Sequence, residues 1–389
     1  MNQGKKSGLT VGISAFAGDG GKSGISQYMV NIFRRLPELG PEHHYVLFMT
    51  SADKEFFDVS HPNVQVVSYP DNFGHPIISI LWHLLWLPIA LKAHGCDVCW
   101  MPAGNRRLAW WYGVPSVSTI HDMSQLHVPA KYDRFRMFYI MKVLPGMMRR
   151  LTRVLSISES TQRDLISYCR VRDERIRVVY NGADLDRFSP RDREQAKARV
   201  SAGSVIPHDY ILYISRLEHP GKNHVGLVEA FAQLKNRTGL PHKLVLVGSR
   251  WNGAEAIDDA VARTGMADEV IFPGFLPNEL LPDLLSGADL FAFPSLFEGF
   301  GIPPLEAMMA GTPVVASNRS SIPEVVGDAG LLFDPEDSAA MSEAMERVLT
   351  DEALASELRD KGLKQAGKFS WDKATLGVLE LCAEATRAP

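Results

Sequence analysis

Two carboxylates eight positions apart carry the clearest chemical signal in this chain, Glu298 and Glu306 in the segment PSLFEGFGIPPLEAMMAG. Between them lie Gly299 and Gly301, whose bare backbone lets N–H groups approach a ligand closely. Glu306 falls in the predicted first turn of a helix, where an acid often only complements the helix dipole. The pair together with the two glycines instead favours a ligand-binding site.

The segment has the local pattern of a strand, a loop and a helix. Leu290–Phe293 is an apolar run that stops at a proline and predicts a buried strand. Pro303 and Pro304 suit a first helical turn, and Gly311 predicts the end of the helix. Because orphan amides and the helix dipole favour an anion at a helix N-terminus, the loop predicts a phosphate site.

The same alternation of apolar strands with helices recurs along the chain and predicts parallel sheets covered on both faces. In the first half, strands are predicted at Leu9–Phe16, Tyr45–Met49, Val64–Val67, Val98–Trp100, Val117–Ile120, Val154–Ile157 and Ile176–Tyr180. In the second half, they are predicted at Tyr210–Ser215, Leu244–Val247, Val270–Phe272, Leu290–Phe293, Val314–Ala316 and Leu331–Phe333. At 389 residues the chain is long enough for two such domains.

The composition is that of an ordinary globular protein, with 46% apolar residues and 41 basic against 45 acidic side chains. The formal net charge of −4 gives no support for a nucleic-acid-binding protein. Four cysteines without a disulfide framework indicate a reducing compartment. The apolar run Leu9–Ala17 predicts a first strand rather than a secretory signal. Ile77–Leu91 is too short to span a bilayer and predicts a buried or interfacial helix.

Two further motifs have simpler explanations than the ones they suggest. Gly21-Lys22-Ser23 would need a glycine at position 16 to complete a phosphate-binding P-loop, and that position is Phe16. Asp184 and Asp186 form a D-x-D pair of the kind that coordinates a metal, but the adjoining Asn-Gly makes turn chemistry the better explanation. We therefore expect neither a metal nor a cofactor.

The run from Pro294 to Ser317, PSxxEGFGxPxLEAMxxGxPVVAS, resembles the signature of family-four retaining glycosyltransferases of the GT-B fold. The resemblance covers nearly the whole chain and is strongest from residue 205 to 335. It implies an α/β protein with two Rossmann-like domains that face a cleft. These would be residues 1–188, completed by a C-terminal helix at 370–389, and the donor-binding residues 189–369, with the polar stretch Ser189–Ser204 as linker.

The resemblance also implies a reaction and roles for the glycine-rich segment. The reaction is metal-independent transfer of a hexosyl group from a sugar nucleotide to a hydroxyl, with retention of the anomeric configuration. In the family the first glutamate, here Glu298, lies beside the donor sugar, and the second, here Glu306, binds the ribose hydroxyls. Loop amides, here those of Gly299, Phe300 and Gly301, hold the sugar or the diphosphate.

Residues 215–223, SRLEHPGKN, resemble the family segment whose arginine and lysine bind the donor diphosphate. These would be Arg216 and Lys222, for which solvent-facing charge is the plain alternative. Ser215 replaces the usual glycine, and three extra residues precede Lys222, which leaves its reach open. His121 follows a predicted strand, where a histidine is more often structural. The family's His-Asp pair lies beside the donor sugar, with Asp122 here orienting the imidazole.

Other candidate binding residues also rest on the resemblance. The family packs the nucleobase against backbone after two strands of the donor domain, here at Gly248, Ser249, Gly274 and Phe275. Its glycine-rich loop after the first strand faces donor and acceptor, and here that loop contains Gly21.

The donor we expect is GDP-mannose, with a UDP-sugar as the alternative, and the acceptor is a glycan or a lipid-linked glycan of a surface polysaccharide. Two rival classes remain: another sugar-nucleotide enzyme such as an epimerase or phosphorylase, and a catalytically silent binding protein. Lys131–Arg153 carries seven basic residues against one acid. It predicts either a helix with a solvated face or a contact with anionic lipid. We expect a cytoplasmic protein, which the second alternative would place at the inner face of the plasma membrane.

Overall fold

A computed structural model describes residues 8–16, 23–104, 107–128, 137–202 and 205–388. The chain forms two compact units. Unit 1 comprises Met1–Gln125, Ala130–Gly182 and Ser370–Pro389, and unit 2 comprises Leu126–Pro129 and Ala183–Phe369.

Unit 1 is built on a seven-stranded parallel sheet in the order β3-β2-β1-β4-β5-β6-β7. Its strands are β1 (Thr10–Ser14), β2 (His44–Thr50), β3 (Val64–Tyr69), β4 (Val98–Met101), β5 (Ser116–Ile120), β6 (Arg153–Ser156) and β7 (Ile176–Val178). Its α-helices are α1 (Gly24–Leu39), α2 (Ser51–Phe57), α3 (Pro76–Leu85), α4 (Leu87–Ala93), α5 (Leu144–Met148) and α6 (Glu159–Ser167), with a π-helical turn at Tyr139–Val143.

Unit 2 is built on a six-stranded parallel sheet in the order β10-β9-β8-β11-β12-β13. Its strands are β8 (Tyr210–Ile214), β9 (Lys243–Val247), β10 (Val270–Gly274), β11 (Leu290–Phe293), β12 (Val314–Ser317) and β13 (Gly330–Phe333). Its α-helices are α7 (Arg193–Ser201), α8 (His224–Thr238), α9 (Glu255–Thr264), α10 (Leu281–Gly287), α11 (Ile302–Met309), α12 (Ile322–Val326), α13 (Ser338–Thr350) and α14 (Glu352–Ala366).

The predicted α/β class with two parallel sheets is confirmed, and each predicted strand is present within two residues of its expected ends. The central strands β4, β5, β11 and β12 are fully buried, because helices cover both faces of each sheet. That burial explains why continuous apolar runs, rather than alternating ones, identified them.

The predicted linker at Ser189–Ser204 was wrong, because α7 occupies most of it. The helix looks polar in sequence, but two of its cations meet acids of the same unit. Lys197 Nζ lies 2.9 Å from a carboxylate oxygen of Asp289, and Arg199 lies 2.6 Å from Asp283. Lys197 is itself buried, so the charge pattern reflects packing rather than a solvated connection.

The units divide after Gly182 rather than at residue 188. Gly182 packs on the start of the last helix, α15 (Trp371–Arg387), so closely that a Cβ would lie 2.1 Å from the Trp371 nitrogen. Five residues on, Arg187 donates to the carbonyl of Asn278 in unit 2. Helix α15 packs on α1 of unit 1, where Arg35 and Asp372 form an ion pair at 2.9 Å.

The apolar run Ile77–Leu91 forms two helices, not one. Helix α3 ends at Leu85 and α4 begins at Leu87, with their axes bent by 53°. Pro88 explains the break, because its ring would clash with a carbonyl in the preceding turn of a continuous helix. Within the described ranges, no single helix is long and apolar enough to cross a membrane, and α3 and α4 reach that length only as a bent pair.

Candidate active site

The glycine loop, residues 294–301, connects β11 to α11. Gly301 has φ of 112° and directly precedes the first helical residue, Ile302, without a side-chain cap. The helix therefore begins one residue earlier than predicted, and Glu306 lies beyond its first turn, where a role as a simple dipole partner is weakened. Gly311, with φ of 74°, follows the helix end as expected.

Backbone N–H groups of the glycine loop are available to an anion. Pro303 and Pro304 have no N–H, so the donors at this helix start come from the residues before them. In the part of the chain that the structure describes, no group accepts a hydrogen bond from the N–H of Gly299, Gly301 or Ile302. These amides at a helix N-terminus could donate to an anion, as the predicted phosphate site requires, and that site stays a prediction.

The hydroxyl groups of two serines donate hydrogen bonds to carbonyls of the glycine loop. Ser321 Oγ donates to the carbonyls of Glu298 at 2.9 Å and Phe300 at 2.8 Å, and Ser320 Oγ donates to the same Glu298 carbonyl. The Phe300 ring is buried against Phe369 at 5.6 Å, so this residue can meet a ligand through its backbone alone. The sequence analysis missed both serines.

Lys222 and Glu298 form an ion pair, with Lys222 Nζ 2.7 Å from Glu298 Oε1 and both side chains largely buried. Lys222 belongs to the cation loop, residues 215–223, which follows β8. The Leu296 N–H donates to the Gly221 carbonyl at 3.0 Å, and the Tyr213 hydroxyl donates to the Lys222 carbonyl at 2.9 Å. These bonds fasten the cation loop to the glycine loop, so Lys222 reaches the site.

The three extra residues before Lys222 extend the sheet rather than displace the lysine. Leu217 N–H donates to the Ser249 carbonyl and the Trp251 N–H donates to the Leu217 carbonyl, each at 2.9 Å. His219 N–H donates to the Asn252 carbonyl at 3.1 Å. The insertion thus runs alongside the segment after β9 and returns the chain to the glycine loop.

Arg216 also has an acidic partner. Its guanidinium lies 2.9 Å from Glu218 Oε2 and 5.3 Å from the ring centroid of Trp251. The arginine is half exposed, whereas Glu218 is mostly buried. A cation–π contact and a buried acid therefore hold a solvent-reaching guanidinium beside the sheet edge. Neither Glu218 nor Trp251 was predicted as part of the site.

Glu306 differs from Glu218 and Glu298. Among the residues described, it has no cation within ion-pair distance and no hydrogen-bonding side chain. Burial raises its pKa from 4.5 to about 7, opposed by the charge of Arg187 and assisted by that of Asp184. Because no protein group occupies its oxygens among the described residues, the Glu306 carboxylate can accept hydrogen bonds from a ligand's hydroxyl groups.

The Asp184–Asp186 pair behaves as turn chemistry predicts. Asp184 Oδ1 accepts a hydrogen bond from the Arg187 N–H at 3.1 Å, and Asp186 is exposed. Across the described ranges, no group of three His, Cys, Asp or Glu residues could hold a metal ion. Metal independence itself remains a prediction.

The four residues expected near the nucleobase lie after β9 and at the end of β10. Gly248 has φ of 148°, and a Cβ there would lie 1.9 Å from the Ser215 carbonyl oxygen, so close packing requires glycine. The Ser249 carbonyl accepts the hydrogen bond from the Leu217 N–H. Gly274 has open space where a Cβ would be, and Phe275 is 73% exposed.

His121 lies in unit 1, directly after β5, and is buried. Its Nε2 lies 2.7 Å from the Pro102 carbonyl, which can only accept, so Nε2 carries a proton. Its ring meets the Tyr28 ring edge-on at 4.8 Å. Asp122 Oδ1 accepts from the N–H and hydroxyl of Ser124, so it stabilises the following turn. Gly21 lies outside the described residues.

The same two halves match known family models. Residues 22–187 match the model described as Glycosyltransferase Family 4, and residues 195–365 match Glycosyl transferases group 1. The O-antigen chain mannosyltransferase B of Escherichia coli is 34% identical over 260 residues, covering 67% of this chain and 68% of that protein. The chain belongs to the family-four glycosyltransferases.

Two other proteins are similar to this chain, one in sequence and one in fold. The serotype-specific mannosyltransferase WbdA of Escherichia coli is 32% identical over 266 residues, which cover 66% of this chain but 32% of that longer protein. The sucrose-phosphate synthase of Thermosynechococcus elongatus superimposes with a TM-score of 0.76 over 98% of this chain and 100% of that chain, at 23% identity. The predicted retaining glycosyltransferase family and GT-B fold class are thus confirmed.

Within this family-four glycosyltransferase, unit 2 brings together Lys222, Glu298 and the amides of the glycine loop, and it places Arg216 on a neighbouring strand end. His121 belongs to the other unit. The residues that sequence reasoning missed, Glu218, Trp251, Ser320 and Ser321, act on the predicted ones rather than replace them. The only local signal for the serines was a small polar run after β12.

Proposed function

We propose that this chain transfers mannose from GDP-mannose to a hydroxyl of a surface glycan, with retention and without a metal. Two mannosyltransferase relatives support the sugar, because each matches about two thirds of the chain at above 30% identity. The observation that carries the catalytic part is the Lys222–Glu298 pair beside three amides at a helix start that have no acceptor among the described residues. This arrangement suits a donor diphosphate attached to a sugar.

The proposed reaction breaks the bond between the sugar C1 and the diphosphate oxygen. The electron pair leaves with the diphosphate, whose added negative charge Lys222, Arg216 and the loop amides stabilise. The acceptor oxygen bonds to C1 from the same face, and its proton passes to the departing phosphate oxygen. Positive charge that develops on the sugar meets Glu298, so no covalent enzyme intermediate is required.

Binding roles follow from the same contacts. We assign the ribose hydroxyls to Glu306, whose carboxylate has no other partner in the described part of unit 2. The diphosphate goes to the Gly299 and Gly301 amides and to Arg216 and Lys222. For His121 we keep the expectation of a donor-sugar contact, which rests on the resemblance alone.

We also propose a cytoplasmic location and a glycan or lipid-linked acceptor at an anionic membrane surface. Residues 131–153 were predicted to face that surface, and 137–153 are described. There Lys142, Arg149 and Arg150 are exposed, and so is Phe138. The basic side chains would each contribute about 1 kcal/mol near anionic lipid.

A thermal-shift screen of GDP, UDP and ADP tests the donor. A nucleotide at 100 times its Kd stabilises the folded state by about 2.7 kcal/mol, and we expect this from GDP. Transfer from GDP-mannose should persist in EDTA and give an α-linked product by NMR. Stabilisation by UDP alone would favour a UDP-sugar enzyme. Chelator-sensitive activity restored by Mn²⁺ would return Asp184 and Asp186 to the site.

A further inference from the structure

Helix α3 exposes a stripe of large apolar side chains. Ile77, Leu81 and Leu85 recur every four residues on one helical face and are 63%, 48% and 55% exposed. Trp86 and Ile89 continue the stripe into α4 at 56% and 64%. Contiguous exposed apolar side chains on this scale are unusual on a protein surface and mark a contact with something else.

The opposite side of α3 is already packed on unit 1. Trp82 is buried and lies 4.5 Å from the ring of Phe16 and 5.9 Å from that of Phe48, while His83 hydrogen-bonds to Ser14. The stripe is therefore the outward face of an anchored helix. A helix held in this way can lie on a surface but cannot cross a bilayer.

Two further segments of unit 1 expose large apolar side chains and are linked to α3 through its buried Ser79 rather than through the stripe itself. Arg107 Nε donates to Ser79 Oγ of α3 at 2.7 Å and so joins the segment after residue 106 to the helix. That segment carries Trp110 and Trp111, which are 42% and 69% exposed. The Arg150 guanidinium lies 5.5 Å from the Trp110 ring centroid, which brings in the segment with exposed Phe138 and Met141.

We call this surface the apolar face; its members are Ile77, Leu81, Leu85, Trp86, Ile89, Trp110, Trp111, Phe138 and Met141. The three stretches that supply it, residues 76–96, 107–115 and 137–153, contain no aspartate or glutamate. They contain six basic residues, Lys92, Arg107, Lys142, Arg149, Arg150 and Arg153. The whole chain has 45 acidic and 41 basic residues, so outside these stretches 45 acidic residues face only 35 basic ones.

We propose that the apolar face inserts into the headgroup and upper acyl region of an anionic lipid bilayer. Apolar side chains with tryptophans among them, surrounded by cations and lacking acids, match the chemistry of that layer. The inference deepens the membrane contact proposed above for residues 131–153 and so rests on it, but it is independent of the sugar transferred. It adds apolar insertion to electrostatic attraction, so binding should survive salt in part.

Vesicle flotation tests the proposal. We expect wild type to bind vesicles with 30% phosphatidylglycerol, more weakly phosphatidylcholine alone, and to retain some binding in 0.5 M NaCl. The Ile77→Glu/Ile89→Glu variant should bind at least about 100-fold more weakly, because each substitution removes the burial of a large apolar side chain. The matched control is Val205→Glu/Leu332→Glu, which adds the same charge at exposed apolar positions of unit 2 and should bind as wild type.

Brominated lipids give a second readout. They should quench tryptophan fluorescence of the bound protein, and most of that quenching should vanish in Trp86→Phe/Trp111→Phe. Unchanged thermal unfolding and unchanged transfer to a water-soluble acceptor would show that Ile77→Glu/Ile89→Glu is folded. If wild type binds vesicles but transfers no mannose, the proposed reaction would be wrong while the proposed membrane contact would still hold.

Three results would overturn the proposal. The first is equal vesicle binding by Ile77→Glu/Ile89→Glu and wild type, and the second is complete loss of wild-type binding in 0.5 M NaCl. The third is a lipid-free dimer that the two substitutions dissociate, because the apolar face would then be covered by a second copy of the chain.

Discussion

The cation loop and the glycine loop follow neighbouring strands of one sheet, β8 and β11, yet they hold their polar groups in opposite states. In the cation loop, Lys222 and Arg216 are each paired with a carboxylate. In the glycine loop and at Ile302 directly after it, three amides have no acceptor among the described groups, and Glu306 has no cation partner there either. The cations of the first loop are already paired with carboxylates, whereas the amides of the second have no acceptor among the described groups.

The difference has a physical reason. A cation buried without a partner is costly, and in the proposed function Lys222 stays paired with Glu298 until a diphosphate replaces the carboxylate. Unpaired amides carry no full charge, so leaving them without a partner costs less than leaving a buried cation without one. Donor binding in the cation loop is then an exchange of partners, whereas in the glycine loop it is a gain of new hydrogen bonds. Substitutions in the two loops should therefore have different kinetic signatures.

The largest effect should come from Lys222→Ala in the cation loop. The lysine meets charge that grows as the glycosidic bond breaks, and its loss also leaves Glu298 buried and unpaired. By analogy with removal of one oxyanion-hole donor, kcat should fall by roughly 10²–10³ at saturating donor. The matched control is Lys235→Ala, a similarly buried lysine paired with Glu269 at 2.9 Å, which should keep normal kcat. A kcat within about threefold of wild type would remove Lys222 from the reaction.

Glu306→Gln should produce a binding defect instead. The ribose is equally present in ground and transition states, so loss of a charge-assisted hydrogen bond should chiefly raise the donor KM. Such bonds contribute about 1.5–3 kcal/mol, or roughly 10- to 150-fold in KM. Steady-state kinetics with varied GDP-mannose measures this. A normal KM with lost turnover would move Glu306 from binding to chemistry.

The same variant should be more stable than wild type, but only at higher pH. Because the folded pKa of Glu306 is about 7 against 4.5 for an ordinary glutamate, the native state binds more protons between these values. Wild-type stability therefore falls as pH rises through this window. Glu306→Gln should gain about 1–3 kcal/mol at pH 8 and little at pH 5 in urea unfolding. Equal gains at both pH values would show that burial does not oppose ionisation there.

Local pattern predicted most of the fold. Buried parallel strands are continuous apolar runs, and each run that was predicted as a strand became one. It failed at α7, because Lys197 looks solvated in sequence while its partner, Asp289, is 92 positions away. The helix start at Ile302 was missed by one residue, because Gly301 rather than a proline sets the turn.

The site shows the same limit. Glu298, Glu306 and Lys222 carry a spacing that is visible along the chain. Glu218 is visible too, but its effect depends on the insertion folding beside Trp251, which no local pattern states. Ser321 lies 23 positions from the carbonyl that it supports. Contacts that position a reactive group come from other loops, so the sequence shows the group without its support.

The smallest effect should come from Glu218→Gln, which sharpens the comparison by freeing one cation without moving it. If Glu218 only competes with the diphosphate for Arg216, its neutralisation should tighten GDP binding. The Arg216 side of the pair is half exposed, and solvent-accessible pairs contribute about 0.2–1 kcal/mol, so Kd should fall by roughly 1.4- to 5-fold. The contact with Trp251 would keep the guanidinium in place, and Arg216→Lys should weaken binding because a lysine lacks the planar fork.

Isothermal titration with GDP at two salt concentrations measures the effect of Glu218→Gln. The gain should shrink at high salt, since screening weakens the competing pair. Glu229→Gln is the matched control. It breaks an exposed ion pair between Glu229 of α8 and Arg263 of α9, so it should leave the Kd for GDP unchanged. A weaker affinity in Glu218→Gln would mean that the acid aims Arg216 rather than competes for it. The cation loop would then be preorganised by its own carboxylates, and its paired state would aid donor binding instead of opposing it.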